Sequence, residues 1–282
     1  VLCLEGLGYN VRSLDDKVRE YFIEKGELFR LIMDSKTMIE RGRRTARGIA
    51  KHLAMLGHEK GRVLDVGCGT GRISIPLAEM GFEVVGIDIS PTYIDIAIRR
   101  ARERGVEGRA IFIVCDAREM DVCTSNHKPF SSILFVWSSV IGYYDESADS
   151  KILSEAYDIS TDRAVLIIAD AISKEQVMLH QYLFGMAKKV HEYDNVIIME
   201  RLLYNPATGN VLIRQEFYEK SQNNLVFMGD AHFELHLYSL DELNKLANKS
   251  GWCLYKVLTD LDRGMGYSPF SCLNAVFIKC RK

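Results

Sequence analysis

Val63-Leu64-Asp65-Val66-Gly67-Cys68-Gly69-Thr70-Gly71-Arg72 is the stretch that decides the fold. Val63 to Val66 is an apolar run of the kind that forms a parallel strand buried on both faces. Glycines then stand at every second position, and Arg72 to Met80 carries an amphipathic, helical pattern. Strand, glycine loop and helix together hold an extended anionic or zwitterionic cofactor against a helix N-terminus. The glycines let the backbone turn with positive φ and come close to a ligand. A dinucleotide fingerprint, G-x-G-x-x-G, fits Gly67 and Gly69 but needs a third glycine where Arg72 stands. That glycine comes one place early, at Gly71, so the loop reads D-x-G-x-G-x-G and points away from NAD.

Three more strands follow in order. Glu83-Val84-Val85-Gly86-Ile87-Asp88-Ile89-Ser90 is a second buried strand that ends in an acid. Ala110-Ile111-Phe112-Ile113-Val114-Cys115-Asp116-Ala117 is a third, again closing on an acid. Ser132-Ile133-Leu134-Phe135-Val136-Trp137 is a fourth and runs into Ser138-Ser139-Val140-Ile141-Gly142-Tyr143. Each acid alone also suits a helix N-cap or a strand-end turn. Taken as an ordered set, residues 62–137 resemble the core of the class I S-adenosylmethionine-dependent methyltransferases.

The resemblance implies roles. Asp65, Gly67, Cys68, Gly69 and Gly71 form the first motif around the cofactor, Cys68 filling a place for a small residue. Asp88, with Ile89 beside it, receives the ribose hydroxyls, a task for a carboxylate because both bonds are charge-assisted. Asp116 binds the adenine amino group, and the Ala117 N–H faces a ring nitrogen. Trp137 lies near the adenine or the sulfonium, whose charge an aromatic face attracts, or else belongs to the core. The donor is S-adenosyl-L-methionine and the product S-adenosyl-L-homocysteine. The fourth strand departs from the family pattern: Phe130-Ser131 stands where Phe-Asp is common. No N-P-P-Y or D-P-P-Y signature of nucleobase amine methylation is present, since Trp137-Ser138-Ser139 occupies that place.

Around this core the pattern alternates. Ser90-Pro91 opens a helix that Gly105 stops, Asp145 to Ser160 reads as another, and Arg163 to Asp170 is a fifth buried strand. Ser239 caps a helix from Leu240 to Lys249 with Glu242 completing a capping box. Trp252–Leu258 and Leu273–Cys280 are the last two strands, with a polar, glycine-bearing loop between them. The expected fold is α/β, a Rossmann-like, seven-stranded, mostly parallel sheet with helices on both faces. Residues 1–60 form an N-terminal helical cap and 61–282 the methyltransferase domain. A β insert at about 187–237 interrupts that domain, with strands over Val196–Tyr204, Val211–Glu219 and Leu225–Leu237. In the family such helices act as a lid, and such an insert walls the acceptor pocket. A homodimer contact is the other use of the insert.

Composition bounds the rest. The chain has 282 residues, 48% of them hydrophobic, and a net charge of −2, which sets up no global field for nucleic acid. Seven cysteines lack any C-x-x-C pair and lie mostly in apolar runs, so they read as buried thiols of a cytoplasmic protein. No apolar run reaches the roughly 18 residues of a membrane span, and no signal peptide is visible. No metal cluster is expected.

Methyl transfer from a sulfonium is an in-line displacement in which alignment supplies roughly 7–11 kcal/mol in favourable cases. A hydroxyl or ammonium acceptor must also lose a proton. Tyr143, His180 and His236 are the candidate bases, with Asp170 at the end of the fifth strand as another. Tyr9, Arg44 and Ser138 are the candidate substrate contacts. Arg44 is chosen from a cluster whose other reading is a solvated face. Tyr9 and Tyr21 equally suit helix packing. The expected function is methyl transfer to an N or O atom of a small-molecule acceptor, with RNA or protein as the alternative acceptors. A degenerate nucleotide-binding module is opposed by the intact acids, and an NAD oxidoreductase by Arg72.

Overall fold

The structure, a computed structural model of the chain, describes residues 14–137, 140–185, 188–222 and 224–280. It opens with α1 (Leu14–Arg19), a π-helical turn (Glu20–Glu24), α2 (Gly26–Met33) and α3 (Lys36–Met55). The α/β alternation follows as β1 (Arg62–Val66), α4 (Ser74–Glu79), β2 (Glu83–Asp88), α5 (Pro91–Glu103) and β3 (Ala110–Val114). A 3₁₀ turn (Ala117–Glu119) and α6 (Met120–Cys123) lead to β4 (Phe130–Val136), α7 (Glu146–Asp158), β5 (Ser160–Ala171) and α8 (Lys174–Phe184). Then come β6 (Lys188–Tyr193), β7 (Val196–Asn205), β8 (Asn210–Ser221) and β9 (Asn224–His236). The chain closes through α9 (Leu240–Lys249), β10 (Trp252–Asp260), β11 (Met265–Gly266) and β12 (Leu273–Lys279).

Local chemistry sets these boundaries. Ser35, Ser90, Asp145, Ser173 and Ser239 each accept a backbone N–H in the first turn of the helix they cap. Pro91 sits in the first turn of α5, where its missing N–H costs nothing. Ser239 and Glu242 form the reciprocal capping box. The cap at Ser35 starts α3 at Lys36, and the helix runs unbroken to Met55.

The large sheet has the order β11-β10-β12-β5-β4-β1-β2-β3, parallel from β3 to β5 and antiparallel where β12 meets β5 and β10. It holds eight strands rather than seven. The extra one is the two-residue β11 against the end of β10, too short to leave a period in the sequence. Both faces are buried: Leu64 and Val66 join one apolar cluster, and Val63 joins the other with Ile49 and Leu53 of α3. That explains the continuous apolar runs. β1 lies between β2 and β4, so the chain reverses its order of strand addition there, and a crevice opens at the carboxyl ends.

A second, four-stranded antiparallel sheet, β6-β7-β8-β9, is the insert. It includes β6, whose mixed sequence Lys188 to Tyr193 shows no apolar alternation. Val196, Ile198, Phe217 and Ala231 on its inner face pack against Tyr21, Ile32, Met33 and Met38 of the N-terminal helices. Cap and insert thus share one core beside the crevice.

The cysteines correct the sequence reading. Cys115 is bonded to Cys123, and Cys253 to Cys280; Cys68 and Cys272 are free thiols. Neither pair has a recognisable spacing, because the fold makes them neighbours. A short helix turns Cys123 back onto the end of β3, and antiparallel pairing brings the start of β10 to the end of β12. Among the described residues, no helix is long and apolar enough to cross a membrane.

Candidate functional site

The glycine loop is built by β2 as much as by its own residues. Gly67 and Cys68 both donate backbone N–H groups to the Ile87 carbonyl, at 2.8 and 2.9 Å. Asp88 then accepts from the Gly69 N–H at 2.8 Å with one oxygen and from the Ser90 N–H at 2.9 Å with the other. Gly69 has φ +55°, and a Cβ there would meet open space, so its backbone faces the crevice bare. Gly71 differs: a Cβ on it would strike Ile75 and Phe112, so it serves close packing of the loop. Asp65, 2% exposed, accepts from Ser74 Oγ at 2.5 Å and ties the end of β1 to the first turn of α4. Desolvation raises both acids to about 6, against the hydrogen bonds each accepts.

A cavity opens over this loop. Asp65, Gly67, Cys68, Gly69, Asp88, Ile89, Ala117 and Trp137 all line it, as the sequence proposes for the cofactor. Asp116 does not. Its carboxylate accepts from Arg118 Nη2 at 2.6 Å, Arg118 Nε at 3.0 Å and the Arg118 N–H at 2.9 Å. Burial would raise its pKa, but these bonds and the adjacent charge hold it below the usual carboxylate range. The neighbours Cys115 and Ala117 face the cavity instead.

Arg72, which in the sequence only breaks the dinucleotide glycine pattern, is part of the site. Its guanidinium lies 5.5 Å from the Trp137 ring centroid, in the cavity wall, and Nη1 donates to the Met38 carbonyl at 3.3 Å. Desolvation lowers its pKa to about 10, opposed by Asp170 and Asp65, and it stays charged. Gly42 on α3 makes room for it: a Cβ there would lie 2.5 Å from Arg72 Cγ.

A second cavity adjoins the first, and Phe29, Trp137 and Tyr143 line both. Trp137 has φ +68° and Asp170 φ +53°, a left-handed backbone conformation uncommon for side-chain-bearing residues, Trp above all. His180 lines the second cavity, as does Tyr21, whose hydroxyl donates to Gln215 Oε1 at 2.8 Å. Tyr143 sits at the junction, but burial pushes its phenol well above the usual range, which keeps it protonated rather than basic.

Other expectations need correction. His236 lines neither cavity: its Nδ1 is 2.9 Å from Asn210 Oδ1, and its ring packs on Tyr238. Arg44 points to solvent, whereas Arg41, three residues back on α3, reaches the second cavity and pairs with Asp170 at 3.1 Å. That pairing, with Thr45 Oγ1 donating at 2.9 Å, removes Asp170 as a free base. Tyr9 and Ser138 lie outside the described residues.

The insert adds polar residues that no motif announced. Lys189, His191, Glu200 and Gln215 line the second cavity. A signal for two of them was present. Glu200 shares the period-two face of Val196 and Ile198, and Gln215 that of Ile213 and Phe217, so both stand where the strands otherwise bury apolar groups.

A loop with a bare glycine, a carboxylate at the next strand end and an apolar slot at Ile89 and Ala117 fits an adenosyl group in shape and in hydrogen-bonding capacity. The comparisons agree. A methyltransferase-domain family model matches residues 57–224, more than half of the chain. The tRNA 5-carboxymethoxyuridine methyltransferase of Escherichia coli is 41% identical over 83 residues, 29% of this chain and 31% of that protein. The chain matches only 14 to 33% of the length of such curated relatives. An S-adenosylmethionine-dependent methyltransferase of Clostridium acetobutylicum superposes with a TM-score of 0.71 at 15% identity, over 95% of this chain and 99% of its own. The sugar N-methyltransferase KedS8 of Streptoalloteichus superposes with a TM-score of 0.60 at 16% identity, over 84% and 87%. By motif, topology and family model, the chain belongs to the class I S-adenosylmethionine-dependent methyltransferases.

Proposed function

We propose that this chain moves the methyl group of S-adenosylmethionine to a nitrogen or oxygen atom of a small molecule held in the second cavity. The observation that carries the reading is the junction. One cavity has the glycine loop and Asp88, the other is walled by the insert, and Phe29, Trp137 and Tyr143 belong to both. A donor in the first meets an acceptor in the second at those rings. The likeness in fold to a sugar N-methyltransferase supports an acceptor of this size.

In this reading Asp88 takes the ribose hydroxyls, Ile89 and Ala117 enclose the adenine, and Arg72 holds the amino-acid carboxylate. The sulfonium supplies an activated methyl and a neutral leaving group. The protein's own part is alignment and exclusion of water. The N-terminal helices do the second: Val18, Phe22 and Met33 close the donor cavity, and Tyr21 and Ile32 the acceptor cavity. Asp34 latches them to the glycine loop and α5, pairing with Arg100 at 2.8 Å and accepting from Thr70 Oγ1 at 3.4 Å. His180 is the candidate from the sequence that remains in place to take a proton.

The relatives that act on tRNA keep an RNA acceptor as the second reading. Incubation with tritiated methyl donor and a cell extract separates the two. Label in a low-mass, nuclease-insensitive fraction supports the proposal; label that follows RNA or protein overturns the acceptor assignment.

A further inference from the structure

The insert contributes a polar group to the wall of the second cavity, which elsewhere carries Arg41, Gln176, His180 and Gln181 among aromatic and aliphatic side chains. β6, β7 and β8 pair so that Lys189 stands opposite Glu200, and Glu200 opposite Gln215, all three facing inward. Glu200 has a side chain 17% exposed. One of its oxygens accepts from Gln215 Nε2 at 2.9 Å, and the other lies 3.5 Å from His191 Nε2. Gln215 is fixed from the far side by the Tyr21 hydroxyl, so a chain of hydrogen bonds runs from the cap through β8 to this carboxylate. Burial would favour the neutral acid, but the His191 and Gln215 bonds and the Lys189 charge hold it below the usual range.

Other charges bear on the cavity. Arg41 is neutralised by Asp170 at 3.1 Å. Lys189, opposite Glu200 in the ladder, makes no ion pair within 4 Å among the described residues. His180, His191 and the free thiol Cys272 also line it, with Tyr21, Tyr143 and Tyr193. A carboxylate kept ionised inside a cavity that Phe29, Trp137 and Phe233 also line, with lone pairs left over, favours a cation.

We propose that the second cavity selects a small amine, bound as its ammonium by Glu200, with the apolar body of the molecule on the aromatic wall. This deepens the methyltransferase reading and rests on it. Glu200 is the residue that sets the acceptor class, and Lys189 opposes it.

The test uses the full chain loaded with S-adenosylhomocysteine, titrated with benzylamine, benzyl alcohol and benzoate. Benzylamine is expected to bind on the order of tenfold more tightly than benzyl alcohol, the strength of one charge-assisted hydrogen bond. Glu200→Gln, which keeps the shape and the Gln215 contact, is expected to erase that preference without moving benzyl alcohol. Lys189→Met, a change away from the hydrogen-bonded chain, is expected to strengthen benzylamine binding. Preference for benzoate, equal benzylamine affinity in Glu200→Gln, or binding of none of the three overturns the inference. Loading is measured in the same samples. Protein that takes up S-adenosylhomocysteine but shows no amine preference removes this inference alone. Protein that does not take it up removes the methyltransferase reading as well.

Discussion

Asp88 does two things with one carboxylate: it pins the glycine loop through Gly69 and presents lone pairs to the donor cavity. Desolvation brings its pKa to about 6, so its charge is present above that pH and lost below it. Affinity for S-adenosylhomocysteine should therefore be flat above about pH 7 and fall as pH drops through 6. Asp65 titrates in the same window, so Asp88→Asn is the control. That variant should bind more weakly by about 1.5–3 kcal/mol and lose most of the pH dependence, read by calorimetry. At Arg72 the account predicts a split. Arg72→Met should weaken S-adenosylhomocysteine by roughly tenfold or more while sparing methylthioadenosine, which lacks the amino-acid end. Equal losses would show that Arg72 only packs under Trp137. The place of Asp88 at the end of β2, beside the glycine loop, was legible in the sequence because an apolar run closes there on an acid. Asp116 shares that position but is claimed by Arg118, two residues on, and no pattern in the sequence marks that competition. Arg44 and Arg41 lie on one helix, and which of them turns inward depends on where the cap at Ser35 sets its phase.

At the level of elements, the segment between β4 and α7 hangs on Asp149. This buried side chain accepts from the Gly142 N–H at 2.9 Å and the Tyr238 hydroxyl at 2.8 Å with the same oxygen. Desolvation raises its pKa from 3.8 to about 7, against those two bonds. The stability it contributes is full below about pH 4 and is lost as pH rises through 7. Asp149→Asn keeps a neutral acceptor. It should match the parent in acid and exceed it above pH 8, by up to on the order of 4 kcal/mol, seen as a rising gap between urea midpoints. A gap that does not change with pH would contradict this. The parallel core was legible because strands buried on both faces leave unbroken apolar runs. β6 and β11 were not. One is an edge strand of mixed polarity, and the other spans only Met265–Gly266. The insert itself was visible through its turns at Asn205–Asn210 and Ser221–Asn224. Its chemistry was not, because Glu200 and Gln215 only meet once β7 and β8 are in register.

On the scale of the whole molecule, two sheets and a helical cap enclose two adjoining cavities, and a disulfide ties β12 to β10 near the sheet edge. Cys253–Cys280 closes a 27-residue span that carries β10 to β12. Cys280→Ser should lower stability by about 3.5 kcal/mol, the chain-entropy value for a loop of that size, and a reducing agent should then have less effect on the variant's urea midpoint than on the parent's. The central claim is that the turn after β1, with Asp88 at the end of the next strand, grips an adenosyl-sulfonium donor. Calorimetric titration of the purified chain with S-adenosylhomocysteine and, separately, with NAD tests it most directly. The account predicts saturable one-to-one binding of S-adenosylhomocysteine, weakened in Asp88→Asn, and none of NAD. No binding of S-adenosylhomocysteine at millimolar concentration, or saturable binding of NAD instead, would contradict it.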